Sequence, residues 1–189
     1  MKPAKLFSTL PVLLLLAACS GNEALYTIPA TPVEALPKQR IGFSSVEVAS
    51  VSLPDYAGSG EIYRRQGDGS LKADKSKLWA DDPARGMTMT LVRDLTGITG
   101  AQIAASPWPF LDRASARVEV RISEMVTEAD GSFHLAGQYF VAPDSEARGR
   151  SGLFELEAPV AGENAAALAA ARAQVMAELA ALIAQKGLR

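Results

Sequence analysis

Between Val118 and Val141 the chain carries its most constraining pattern. Val118, Val120 and Ile122 alternate with Glu119, Arg121 and Ser123, Asp130-Gly131 supplies a turn, and Phe133, Leu135, Gly137, Tyr139 and Val141 line one face of the return strand. An antiparallel hairpin of this kind has one dry face, which another layer must cover. The same sequence offers the cover. An alanine-dense helix is predicted from about Asn164 to Gln185, with Leu168, Val175, Met176, Leu179, Leu182 and Ile183 as its apolar stripe. A second helix is predicted to start at Asp81-Asp82-Pro83, because an aspartate accepts amide protons at the N-cap and proline loses nothing at the first helical position. Met87, Leu91, Leu95 and Ile98 then share one side, and the helix ends near Gly97 or Gly100. The expected fold is α+β, a two-layer sandwich of a mainly antiparallel sheet with two amphipathic helices packed on one face.

Shorter signals fill in the rest. Ile41, Phe43, Val46, Val48, Val51 and Leu53 read as a strand, bulged near Ser44-Ser45 and ended by Pro54, which has no amide for a ladder. Residues 61–65 and 71–73 flank Gly67-Asp68-Gly69 as a short hairpin whose polar flanks suit a sheet edge. Gln102-Ile103-Ala104 and residues 152–157 are further strands, and Ser106-Pro107-Trp108-Pro109-Phe110 is a rigid connection whose aromatics plug one end of the core.

The N-terminus sets the compartment. Lys2 and Lys5 precede an apolar run from Leu6 to Leu16 and the small residues Ala17-Ala18, the layout of a secretory signal peptide. That run is shorter than the roughly twenty residues a membrane-spanning helix needs. Leu16-Ala17-Ala18-Cys19 resembles the lipobox of bacterial lipoproteins, and the resemblance implies cleavage before Cys19, an S-diacylglycerol on its thiol and an N-acyl chain, such as palmitate, on its amine. Several acyl chains give stable membrane attachment. Ser20 stands where inner-membrane lipoproteins resemble Cys-Asp, which favours the outer membrane. The expected organisation is a signal peptide over 1–18, a lipidated N-terminus and Pro-rich tether over 19–39, and a periplasmic domain over 40–189. Inside the tether, Leu25-Tyr26-Thr27-Ile28 is apolar enough to add a short strand to the domain's edge.

Charge and composition narrow the chemistry. With Lys2 and Lys5 removed, 17 basic groups face 21 acidic ones, so no uniform positive field draws the chain to nucleic acid. One histidine and one cysteine cannot furnish a typical zinc site or a Cys/His nucleophile pair. His134 is expected on the solvent face of its strand, with no partner implied for acid-base work. Neither glycine pair, Gly58-Ser59-Gly60 nor Gly67-Asp68-Gly69, joins a strand to a helix as a phosphate cradle requires. Trp79, Trp108 and Phe110 are candidates for an apolar groove, with core filling as the plainer reading. Arg64-Arg65 and Arg113, Arg117 and Arg121 form small basic stripes that are usually solvated.

The order of several short motifs resembles the PqiC family, the ABC-type transport auxiliary lipoprotein components. These are Val51-Ser52-Leu53-Pro54-Asp55-Tyr56, Ile62 with Arg64-Arg65, Leu78-Trp79-Ala80-Asp81 leading into the first helix, Pro107-Trp108, the 117–141 hairpin and the closing Ala-rich helix. The chain departs from the family pattern at 57–61, at Asp81-Asp82-Pro83 and at Tyr139. The resemblance implies a non-catalytic outer-membrane lipoprotein that docks with a periplasm-spanning MCE-domain protein, itself served by an inner-membrane permease and ATPase. Such a system moves phospholipid-like cargo and supports membrane integrity; it needs no cofactor or metal, and homo-oligomers are compatible with it. Leu53, Pro54, Tyr56, Ile62, Arg64 and Arg65 are the expected docking edge. The alternatives are a stand-alone periplasmic lipid or small-ligand binder and a structural envelope lipoprotein.

Overall fold

The computed structural model describes residues 24–162 and 164–189. In chain order it contains β1 (Ala24–Tyr26), a 3-10 turn (Val33–Ala35), β2 (Ser45–Val48), the single-turn α1 (Asp55–Gly58), β3 (Glu61–Arg65), β4 (Leu71–Trp79), α2 (Pro83–Thr99), β5 (Gln102–Ala105), β6 (Ala116–Thr127), β7 (Ser132–Pro143), β8 (Arg150–Pro159), α3 (Ala165–Leu182) and a π turn (Ile183–Gly187). The fold is the expected α+β arrangement: a mixed eight-stranded open sheet with helices packed against it.

The β6–β7–β8 meander is antiparallel and forms the spine of the sheet. On its other side β6 is shared: its first residues pair in parallel with β2, which carries β5, and Thr127 at its far end pairs with Arg64 of β3. The β3–β4 hairpin turns at Gly69, whose φ of 84° is left-handed and suits glycine. This hairpin was expected at an edge. Instead β3 lies between β4 and β6, and the edge beyond β4 is taken by β1, which pairs Tyr26 with Trp79. Residues 41–44, expected to extend β2, form no strand.

A bulge between Ile122 and Glu124 resets the alternation of β6, so that Ile122 and Met125 both face the helices while Glu124 turns outward. Opposite it sits Gly137, where a Cβ would strike the Arg121 carbonyl and come within 2.9 Å of Phe154 Cζ. Both helices are capped, α2 as expected and α3 by a residue that the sequence reading gave only as its start. Asp82 accepts from the Arg85 N–H at 2.7 Å, and Gly100 closes α2 at φ 68° with its N–H on the Thr96 carbonyl. Asn164 caps α3 by accepting from the Ala167 N–H. α3 is long and apolar enough to cross a bilayer by composition, but its stripe of Leu168, Val175, Met176 and Leu179 is spent on the protein core.

Within the segment expected as a tether, the short edge strand is present as β1, but the residues after it do not stand free. After β1 the segment runs along α2 as a strap. Ile28 lies 4.0 Å from where a Cβ on Gly86 would stand, Arg93 donates to the Thr31 carbonyl at 2.7 Å, and the Gln39 N–H donates to the Ile98 carbonyl at 2.9 Å. Leu36 is buried over Gly97, where a Cβ would come within 2.9 Å of Leu36 Cδ1. Two glycines on one helix side leave a channel into which an extended proline-containing chain settles.

Candidate functional site

Cys19, the expected lipidation site, lies outside the described residues. The six residues of the expected docking edge are described, and they divide by role. Ile62 is in the core at 8% exposure, because strand alternation turns it toward the helices. Leu53 packs on the same core, and Pro54 precedes the single turn of α1. Tyr56 is pinned: its hydroxyl accepts from the Met125 N–H at 3.0 Å, and its ring meets Tyr63 edge to face at 5.4 Å. Arg65 is held by Glu124 and, at 3.0 Å, by Glu128, and these carboxylates raise its already high pKa. Arg64 is exposed, and it is the one charged side chain of this edge with no ion pair among the described residues.

His134 corrects the solvent-facing expectation. It does point away from the helices, yet it is only 7% exposed. Its Nδ1 lies 3.2 Å from Glu157, and its Nε2 lies 3.4 Å from Glu124 and 4.0 Å from Glu155. The bulge in β6 aims Glu124 at it, so Arg65, Glu124, His134 and Glu157 brace four neighbouring strands across the outer face. Single-sequence alternation gives the face of a residue and not the length of its cross-strand neighbours, which is what covers this imidazole. Among the described residues no three metal-ligating side chains gather as a site.

Trp79, Trp108 and Phe110 do not share a groove. Trp79 ends β4 and is 8% exposed, with the guanidinium of Arg172 stacked 4.4 Å from its ring. Arg172 is wholly buried. Its Nη2 donates to the Pro83 carbonyl at 3.2 Å, Nε and Nη1 have no partner among the described residues, and burial pushes its pKa down to about 9, leaving it a cation at neutral pH. A cavity of about 190 Å³ lies beside it, lined also by Tyr26, Ile28, Trp79, Pro83 and Met89. Sequence reading passed over Arg172, although it sits four residues after Leu168 and three before Val175 on the buried stripe of α3.

Trp108 and Phe110 meet edge to face at 4.9 Å in the loop before β6, where the indole N–H donates to the Asp112 carbonyl at 2.7 Å. Beside them Leu111 is fully exposed, so this loop is an apolar tip and not a plug. It overhangs an open cleft of about 390 Å³ whose arginines are engaged, Arg117 with Glu47 at 3.0 Å and Arg113 with Asp144 at 3.7 Å.

A third concavity is apolar. It is a trough of about 490 Å³ between the strap and the outward side of α3. Pro29, Pro32 and Leu36 form one wall, and Ala173, Ala177 and Ala181 the other. Gln174 donates to Glu178 at 3.0 Å, and on the strap the Thr31 carbonyl accepts from Arg93 at 2.7 Å. The trough depends on the strap's packing, so no local motif announced it.

The model of one protein family, the ABC-type transport auxiliary lipoprotein component, matches residues 26–184. No curated protein matches the chain. Among solved structures, the chain is similar to an uncharacterised protein at 18% identity and a TM-score of 0.71, over 86% of this chain and 97% of that one. It is also similar to a protein from Xanthomonas campestris at 21% identity and a TM-score of 0.64, over 86% and 95% of the two chains. A dodecameric PelC from Paraburkholderia phytofirmans aligns at 10% identity and a TM-score of 0.47, over 86% and 96%.

Proposed function

The chain belongs to the ABC-type transport auxiliary lipoprotein component family, and from that premise we propose that it is a non-catalytic outer-membrane subunit of an MCE-type intermembrane lipid transport system. It docks on a periplasm-spanning MCE-domain protein, in concert with an inner-membrane permease and ATPase, and supports envelope integrity. The observation that carries this reading is the family match over residues 26–184, which takes in the strap, β2 to β8 and the closing helix. It is joined by Leu16-Ala17-Ala18-Cys19 at the start of the chain. In the mature protein Cys19 bears the diacylglycerol and N-acyl groups, and Ser20 directs it to the outer membrane. The polar side chains of the outer face support the same reading, since they are spent bracing strands and not assembled around a nucleophile.

Docking is assigned to the surface at Arg64 on the interior strand β3, together with Pro54 and Tyr56 at the turn of α1; Ile62 and Arg65 hold β3 in place from within. The test is crosslinking in native membranes, affinity capture of the mature lipoprotein and mass spectrometry of what accompanies it. An MCE-domain protein is expected in the capture, and Arg64→Glu is expected to lower its yield several-fold with the melting temperature unchanged. Recovery of the chain alone with bound ligand supports a stand-alone binder instead, and recovery of the chain as a bare self-assembly supports a structural lipoprotein.

A further inference from the structure

We propose that the trough between the strap and α3 holds one of the acyl chains borne by the protein's own Cys19. The inference rests on the lipoprotein reading above. Its first support is chemical. Ala170, Ala173, Ala177 and Ala181 recur at helical spacings along one side of α3, a row of methyl groups about 16 Å long at 1.5 Å per residue. Prolines 29 and 32 and Leu36 face them across about 490 Å³. The polar lining residues are Thr31, Gln174 and Glu178, and Gln174 donates to Glu178 at 3.0 Å; the other ten are proline, alanine and leucine. A straight hydrocarbon fits this lining, whereas a phosphate headgroup finds no lysine or arginine in it.

The second support is where the chain leads. Ala24 is five residues after Cys19, and Pro29, in the lining of the trough, is five residues after Ala24. At about 3.4 Å per extended residue each stretch spans at most about 17 Å. Both stretches start from Ala24, so Cys19 lies within chain reach of Pro29. A tethered acyl chain then meets the trough at an effective concentration on the order of millimolar, which favours it over a free lipid of equal chemistry. The acyl chains left over keep the protein on the bilayer, because stable anchoring needs more than one hydrophobic attachment and not all of them.

The measurement is thiol labelling of Ala177→Cys on the full mature protein in phospholipid nanodiscs. Acylation blocks the Cys19 sulfur as a thioether, so the introduced thiol is the single reactive one, and its rate with a small maleimide reports whether the trough is filled. The comparison protein carries Ala177→Cys with Cys19→Ala, which cannot be acylated. Ala166→Cys, exposed on α3 and outside the trough, controls for shielding by the membrane in both backgrounds. The expected result is labelling at Ala177→Cys at least tenfold slower in the acylated protein, with the Ala166→Cys rates alike. Equal rates at Ala177→Cys overturn the proposal, as does slow labelling in both forms accompanied by stoichiometric phospholipid, which assigns the trough to a free lipid. Should Ala177→Cys disturb folding by circular dichroism, Ala181→Cys serves the same comparison. Mass spectrometry of the N-terminal peptide tests the premise separately: an unmodified Cys19 overturns the proposal through the lipoprotein reading, while an acylated Cys19 with equal labelling overturns the trough assignment alone.

Discussion

Asp94 carries a cost that the protein tolerates. It is wholly buried on α2, neither carboxylate oxygen has a hydrogen-bond partner among the described residues, and the nearest cation, Arg93, stands 3.9 Å away. Burial lifts its pKa from 3.8 to about 6, with Arg93 pulling the other way. The folded state therefore holds a proton that the unfolded chain has lost between about pH 4 and pH 6, so stability falls as pH rises through that window and the full penalty remains above it. At about 1.4 kcal/mol per unit the penalty is on the order of 2 to 3 kcal/mol. Asp94→Asn removes the ionisation, so thermal melts should show the variant more stable than the parent at pH 8, with the gap closing by pH 4. A gap of the same size at both pH values would contradict burial as its cause. Sequence reading passed over this position, although it lies three residues after Leu91 and four before Ile98; the missing partner has no sequence signal, because it depends on what α2 packs against.

At the level of elements, the 116–143 hairpin shows what alternation can and cannot predict. Val118, Val120, Phe133, Leu135, Tyr139 and Val141 face the helices as their spacing required, and the caps at Asp82, Gly100 and Asn164 follow from residue type. The bulge after Ile122 was invisible, because Ser123 continues an apolar-polar pattern that a regular strand would also show. Gly137 is the mark it leaves. Alanine there would meet the Arg121 backbone, which has no flexible end to yield. Gly137→Ala should thus cost about 2 kcal/mol or more in chemical denaturation, and hydrogen exchange should report loosened pairing at Ile122–Glu124 before elsewhere. Unchanged stability would mean that the bulge can slide. The same limit explains the candidate site: Trp79, Trp108 and Phe110 look alike as aromatic residues, and only the sheet order separates them, one to the strap side and two to the loop before β6.

For the whole molecule, the boundary of the folded unit is the largest difference between sequence and structure. Prolines at 29, 32 and 37 read as a stalk because proline spacing reports extended backbone, and extended backbone serves equally for a strap that lies on a helix. Tyr26, Ile28 and Leu36 join the core through it. A chain beginning at Arg40 should accordingly melt at least about 6 °C below one beginning at Ala24, since losing three such contacts costs roughly 3 kcal/mol or more; equal melting temperatures would reduce the strap to a passenger. β1 runs antiparallel to β6 through the β4 and β3 registers, so Ala24 is the end of β1 nearer Thr127, while the apolar tip sits before Ala116. At about 3.3 Å per residue, the 12 residues of β6 set these ends about 40 Å apart. The two tryptophans of the sequence fall one to each side of this division. The molecule therefore carries its own pair of optical probes: Trp79, beneath the guanidinium of Arg172, emits from a dry site that changes colour when the strap lifts, and Trp108 emits from a wet one that changes when something settles on the tip.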